Sequence, residues 1–173
     1  NPDATAEAFD GEWFRTGDLG ELDADGYLRI TGRKKEIMVT AGGKNVAPTT
    51  LEDPIRSNLI VGQVVAVGDQ KPFVGALVTL DTEMLPTWLK NNGLDESMRV
   101  EDAVHDAAVV AEVTRAVQAG NAQVSRAEGV RKFVILPVDF TEAGGHLTPK
   151  MSIKRHNIVK DFADEIERLY ADE

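Results

Sequence analysis

Two apolar runs of strand length, Val64–Val67 and Phe73–Val78, stand on either side of the turn-rich Gly68-Asp69-Gln70-Lys71-Pro72. That arrangement predicts a β-hairpin. Val130 to Leu136 is a third run of the same kind. The segments around these runs read as helices. Pro48 with Thr49 and Thr50 makes a helix start carrying Leu51 and Ile55 on one face, and Pro54 keeps that helix short or kinked. Thr82 to Asn92 reads as a short helix bearing Leu85, Trp88 and Leu89, ended by Gly93. From Glu101 to about Glu128, Val110, Val113, Val117 and Val124 recur at helical spacing and predict one longer helix. A Gly-rich loop spans Thr141 to Pro149, and a last helix carries Ile158, Phe162, Ile166 and Leu169 on one face. The expected fold is α+β: a small sheet of about three strands flanked by helices.

The chain before these elements has a different grammar. Residues 10–31 read as strands and turns, with a hairpin over Glu21–Ile30 closed by Asp25-Gly26. Its Asp-x-Asp-Gly could suggest a calcium loop, but the position that must supply a bidentate Glu is Gly32. The basic triplet Arg33-Lys34-Lys35 follows, then Ile37-Met38-Val39 and Ala41-Gly42-Gly43-Lys44-Asn45. Strand chemistry stops and a charged linker begins at Arg33 to Glu36, the expected domain boundary.

Composition excludes several functions. The formal net charge is −10, so a broad basic face for nucleic acid is not expected. Local basic clusters remain at Arg33–Lys35 and at Lys150–Arg155, either of which reads as a solvated surface or a phosphate contact. Cysteine is absent, which removes thiolate nucleophiles, disulfides and Cys-bound metal. No run of about 18 apolar residues is present, so no membrane-spanning helix is expected. The start, Asn1-Pro2-Asp3, carries no secretory signal and no initiator Met, which suggests a piece of a longer protein. No GxGxxG follows a strand, and the Gly-Gly-Lys-Asn segment is not a phosphate loop, because Asn stands where Ser or Thr is needed. His105, His146 and His156 lie far apart and off metal-ligand spacing, and no metal site is expected.

Three segments in a fixed order carry the specific signal. They are Trp13-Phe14-Arg15-Thr16-Gly17-Asp18; then Gly32-Arg33-Lys34-Lys35-Glu36-Ile37-Met38 with Gly42-Gly43-Lys44-Asn45-Val46-Ala47-Pro48; and finally Leu147-Thr148-Pro149 ahead of a basic stretch. Together they resemble the late motifs of the acyl-CoA synthetase, luciferase and peptide-synthetase superfamily of AMP-forming enzymes. Their wording is most similar to that of bacterial long-chain fatty-acid–CoA ligases. The resemblance covers essentially the whole chain.

The resemblance implies a role for each matched residue. Asp18 matches a ribose-binding aspartate, and a carboxylate can accept from two vicinal hydroxyls. Arg33 matches an arginine on the nucleotide, for which a guanidinium fork is suited. Lys35 stands at the hinge about which the C-terminal domain rotates between the two half-reactions. Gly42, Gly43 and Lys44 match a loop on the CoA and thioester side, where missing side chains let backbone approach a thiol. Without the resemblance, Asp18 reads as closing the turn after Gly17, Lys34 and Lys35 as a solvated linker, and Gly42 and Gly43 as a simple tight turn. The resemblance also implies a lysine three residues after the last motif's proline, bridging carboxylate and nucleotide during adenylation. That position is Ser152, flanked by Lys150 and Lys154, which become the candidate catalytic lysines; the alternatives are that adenylation here is weak or independent of a lysine, and, compatible with either, that Ser152 caps the last helix.

On this resemblance, residues 1–35 are the tail of a large adenylate-forming domain and residues 36–173 a mobile C-terminal lid. The implied reaction joins a fatty acid to CoA with ATP, through an acyl-adenylate, with Mg2+ held mainly by the large domain. The implied partners are fatty acid, CoA and the large domain of the same polypeptide. The chain alone is expected to be inactive. The implied location is cytoplasmic, with peripheral contact at the inner membrane face left open. Two other readings stand beside this one: an adenylating enzyme for another acid or a carrier protein, and a non-catalytic α+β interaction domain using the valine stripe as a dimer surface.

Overall fold

The computed structural model describes residues 1–171. Its centre is an antiparallel hairpin, β7 (Val61–Val67) and β8 (Val74–Leu80), extended by β9 (Val130–Leu136), which lies parallel to β8. The strand order is β7-β8-β9. Gln70 takes a positive φ of 56° at the hairpin turn.

Both faces of this sheet are covered. Val64 and Ala66 of β7, with Val74, Ala76 and Val78 of β8, belong to one core. That core includes Leu51 and Ile55 of α2 (Thr49–Arg56), Leu85 and Leu89 of α3 (Leu85–Asn91), and Val109, Val113 and Val117 of α5 (Ala107–Asn121). Val65, Val67 and Leu77 point the other way. They meet Phe140, Leu147, Ile158 of α6 (Arg155–Asp161), and Ile166 and Leu169 of α7 (Ala163–Tyr170). Two covered faces explain why the strands read as continuous apolar runs, since neither set of alternate residues meets water. Every residue of β8 is buried. Each fully buried Leu or Ile in these layers contributes about 1.5–3 kcal/mol relative to exposure.

The helices depart from expectation in three places. The single long helix expected from Glu101 is broken: α4 (Val100–Ala103) ends, and α5 starts after Asp106. Asp106 accepts hydrogen bonds from the Ala108 and Val109 backbone N–H groups at 2.9 and 3.2 Å, which satisfies the orphan donors of a new helix start. The far end stops at Asn121, and Ser125–Glu128 close a turn of their own. The last helix is likewise two, α6 and α7, parted at Phe162, whose φ of −110° is non-helical. The Phe162 ring packs at 5.6 Å from Phe140 and 5.5 Å from His146. The helix expected from Thr82 begins only at Leu85, because the Asp81 carboxylate accepts from Glu83 and Met84 N–H and holds those residues in a turn. In α5, Gly120 permits close approach to α2: a Cβ there would sit 2.6 Å from Cγ1 of Ile55.

The leading segment is built differently. It holds α1 (Pro2–Ala8), a two-residue pairing of β1 (Phe9–Asp10) with β2 (Trp13–Phe14), and a hairpin of β3 (Asp18–Leu22) with β4 (Leu28–Arg33). Asp23 accepts from the N–H groups of Asp25 and Tyr27, and Gly26 turns at φ 85°, so the Asp-x-Asp-Gly closes the hairpin. Phe9, Trp13, Phe14, Leu22, Tyr27, Leu28 and Ile30 are all exposed here. The earliest residue in either hydrophobic core is Met38 of β5 (Met38–Val39), which pairs with β6 (Asn45–Val46). A 3-10 turn, Lys34–Glu36, joins the two regions.

Candidate functional site

The hairpin register decides the first part of the site. Asp18 opens β3 and lies directly across from Arg33, which closes β4. Their side chains meet, with Arg33 Nε 3.2 Å from Asp18 Oδ1. Both line an open cleft of about 1240 Å³ between the hairpin and α2, whose wall also includes Glu36, Asn45, Thr49 and Glu128. A carboxylate beside a guanidinium at such a mouth offers acceptors for hydroxyls and a planar fork for phosphate. The β3–β4 hairpin is tied to this wall by the Thr49 hydroxyl, which donates to the Thr31 carbonyl at 2.9 Å.

Lys35 sits in the 3-10 turn, between residues in extended conformation at Arg33 and Ile37. The Lys34 N–H donates to the Gly17 carbonyl at 2.8 Å and ties this turn to the start of β3.

Gly42 and Gly43 form the tip of the β5–β6 hairpin. Gly43 has φ 79°, its N–H donates to the Thr40 carbonyl, and the space beside it is open. Lys44 closes the turn, its N–H donating to the Thr40 hydroxyl at 3.2 Å. Its ammonium lies 3.3 Å from Glu128. The Glu128 carboxyl is held below the usual range, first by the Ser125 hydroxyl, then by the Ser125 N–H and by Lys44.

The third motif forms a small hairpin of its own. The Thr148 N–H donates to the Ser152 carbonyl at 2.8 Å and the Ser152 N–H donates to the Thr148 hydroxyl at 3.1 Å around a turn at Lys150 and Met151, and Leu147 bridges Ile153. Met151 adopts the left-handed region at φ 61°, uncommon for a side chain of that size. Lys150 is therefore at the exposed tip. Lys154 is at the base, where its N–H donates to the His146 carbonyl at 2.8 Å. The expected capping role of Ser152 is not found. Helix α6 starts at Arg155 with Lys154 at its cap position and no side-chain cap, while Ser152 lies within the preceding hairpin.

The residue after Lys154 is anchored more firmly than any site residue named from the sequence. Arg155 forks onto Glu52, with contacts of 2.7 and 2.9 Å to its two carboxylate oxygens. It also donates to the Ala66 carbonyl at 3.0 Å, and Glu52 accepts from the Ala66 N–H at 2.7 Å. Sequence reading missed this cluster. Its available signal was a carboxylate at Glu52 between Leu51 and Ile55, on the apolar side of α2.

The structure thus brings Asp18 and Arg33 together. Neither Lys150 nor Lys154 lines their cleft, and Lys44 reaches it only through Glu128. Among the described residues, no group of three or more His, Asp or Glu side chains is placed to hold a metal ion. No described helix is long and apolar enough to cross a membrane.

The fold is that of the small C-terminal domain of adenylate-forming enzymes. The adenylation domain of a carboxylate reductase from Mycobacterium chelonae superposes with a TM-score of 0.76 at 23% identity, over 99% of this chain and 25% of that one. The profile of the AMP-binding enzyme C-terminal domain matches residues 35–173, and the chain belongs to that family. Its similar curated proteins are long-chain-fatty-acid–CoA ligases. FadD15 of Mycobacterium tuberculosis is 53% identical over 170 residues, covering 98% of this chain and 28% of the relative. The putative fatty-acid–CoA ligase fadD11 of the same organism is 39% identical over 174 residues, covering 99% and 30%. A fatty acyl CoA synthetase structure from that organism matches with a TM-score of 0.52 at 25% identity, over 95% of this chain and 27% of that one. The chain therefore spans under a third of the length of these ligases.

Proposed function

We propose that this chain is the C-terminal part of an ATP-dependent, AMP-forming ligase that joins long-chain fatty acids to CoA. The observation that carries the reading is the Asp18–Arg33 pair, set across β3–β4 at the mouth of a cleft beside the Lys34–Glu36 turn. Similarity to FadD15 along nearly all of the chain supports the fatty-acyl substrate class. In this reading residues 1–35 complete a large domain and residues 36–173 are its lid. The exposed aromatic and aliphatic side chains between Phe9 and Ile30 support that division, because so many large apolar side chains left uncovered in one short segment suit an interaction face.

In the first half-reaction a fatty-acid carboxylate oxygen attacks the α-phosphorus of ATP, forming the acyl-adenylate and releasing pyrophosphate. In the second, the CoA thiolate attacks the acyl carbon and AMP leaves. Asp18 accepts from the ribose hydroxyls, and Arg33 contacts the nucleotide. The turn at Lys35 absorbs the backbone change between half-reactions, and Gly42-Gly43-Lys44 approaches the thiol. Mg2+ belongs with the triphosphate on the large domain. Of the two candidate lysines, Lys154 is the better placed for adenylation: its backbone is fixed at the hairpin base, whereas Lys150 rides the exposed tip. A side chain that stabilises charge developing in a transition state must be held in place beforehand.

The test is fatty-acid-dependent ATP–pyrophosphate exchange by the full-length ligase. Lys154→Ala is expected to lower the exchange rate by about 10²–10³-fold, the range for losing one such stabilising group, with Lys150→Ala near the parent. Release of AMP by the 173-residue chain alone, or unchanged exchange in Lys154→Ala, would count against this reading.

A further inference from the structure

The buried cluster around Arg155 has no counterpart among the roles assigned above, and it lies one residue from Lys154. Strand β7 is an edge of the sheet. At Ala66 its outward N–H goes to Glu52 and its outward C=O to Arg155, so two side chains take the place of a neighbouring strand. The pair is shielded: the Arg155 and Glu52 side chains are 20% and 10% exposed. A two-pronged guanidinium–carboxylate contact fixes direction as well as distance. One end of the bridge is α2, the other is the first residue of α6, and the sheet edge holds the middle. Lys154, whose own N–H is held by the His146 carbonyl, is therefore pinned from both sides: by the Gly-rich loop before it and by the α2–β7 clamp after it.

We propose that Arg155, locked by Glu52 and Ala66, is the positioning residue for Lys154 in the adenylation half-reaction, an inference that rests on the ligase reading above. Arg155 touches no substrate in this account. It sets where the Lys154 backbone stands, and so where the ammonium can reach. A lysine at residue 155 could meet either Glu52 or the Ala66 carbonyl but lacks the planar fork that meets both. Loss of the fork leaves Lys154 present but loosely aimed.

The experiment is a double-mutant cycle in the full-length ligase, reading ATP–pyrophosphate exchange with a long-chain fatty acid. Arg155→Ala is expected to reduce kcat for exchange by about tenfold to a hundredfold, the scale that misplacing a reacting group by about an ångström produces. KM for ATP and fatty acid should hardly move. Thioester formation from preformed acyl-adenylate and CoA should stay near the parent rate, which also reports that the lid is folded. Arg155→Lys should give a smaller fall of the same kind and serves in the cycle if Arg155→Ala does not fold. In a Lys154→Ala background, either change at Arg155 should have no further effect, because residues that act as a unit are not additive. Additive losses, equal losses in both half-reactions, or an Arg155 variant at the parent exchange rate would overturn the positioning role while leaving Lys154 in place. Parent-level exchange by Lys154→Ala would overturn the assignment of Lys154 instead, and the positioning role with it.

Discussion

Tyr170 shows how one side chain near the end of the chain is made to matter. It packs against Phe73 at 4.8 Å between ring centroids, and its hydroxyl faces the carbonyls of Val67 and Phe73 at 3.0 and 3.2 Å. Gly75 makes room, since a Cβ there would stand 3.2 Å from that hydroxyl. Burial pushes the phenol pKa up to about 12, a backbone hydrogen bond to Gly75 opposing only part of the rise. The folded state therefore favours the neutral phenol. Its contribution is complete below the unfolded value of about 10 and is lost as pH rises through the folded value. A Tyr27→Phe protein, which leaves Tyr170 as the remaining tyrosine, should show tyrosinate absorbance appearing near the alkaline end of that window, together with loss of structure. Tyr170→Phe should lose about 0.5–1.5 kcal/mol near neutral pH, the worth of one hydrogen bond, and should flatten the alkaline fall in stability. Tyrosinate formation at the pH of an exposed phenol, without unfolding, would contradict the packing described for α7.

At the scale of elements, the break between α4 and α5 is the informative one. Apolar Ala103 and Val104 precede it and the valine stripe follows from Val110, so the hydrophobic pattern alone predicts a continuous helix. Asp106 overrides the periodicity because its carboxylate satisfies two N–H groups that an unbroken helix would pair with carbonyls. Asp106→Ala should cost about 0.5–2 kcal/mol, and Asp106→Asn much less, both measured by urea unfolding. Equal stability of the alanine variant and the parent would mean that the cap contributes nothing to the start of α5. The same competition sets what was legible in the sequence. β7, β8 and β9 were readable because the signal was the local run itself, buried on both faces. The split at Phe162 was not, because it follows from where three aromatic rings meet, and Phe140 lies 22 residues away in sequence. Asp18 and Arg33 were found through motifs, and the hairpin register then explains why they touch. Glu52 and Arg155 escaped because the carboxylate and the guanidinium are 103 residues apart. Only the fold reveals that both serve the free edge at Ala66.

For the whole molecule, the contrast between the two tryptophans is a usable probe. Trp13 is 81% exposed, in the segment whose apolar side chains face outward, and Trp88 is 8% exposed, inside the main core. Neither core draws a hydrophobic residue from before Met38. The first 33 residues are thus joined to the rest mainly through the backbone, the Thr31–Thr49 and Gly17–Lys34 bonds and the cleft wall. A chain beginning at Lys34 should keep its fold, with a thermal midpoint within about 3 °C of the full 173 residues, the shift that about 1 kcal/mol produces at this size. Acrylamide should quench two tryptophan populations in the full chain, and only the shielded one after the deletion. Binding of a hydrophobic dye should fall at the same time, because the exposed Phe9, Phe14, Leu22, Tyr27, Leu28 and Ile30 leave with the segment. If Trp88 instead becomes quenchable and the midpoint drops by tens of degrees, residues 1–33 are an integral part of this domain. The division at the Lys34–Glu36 turn would then have to be abandoned, and with it the view of that turn as the hinge.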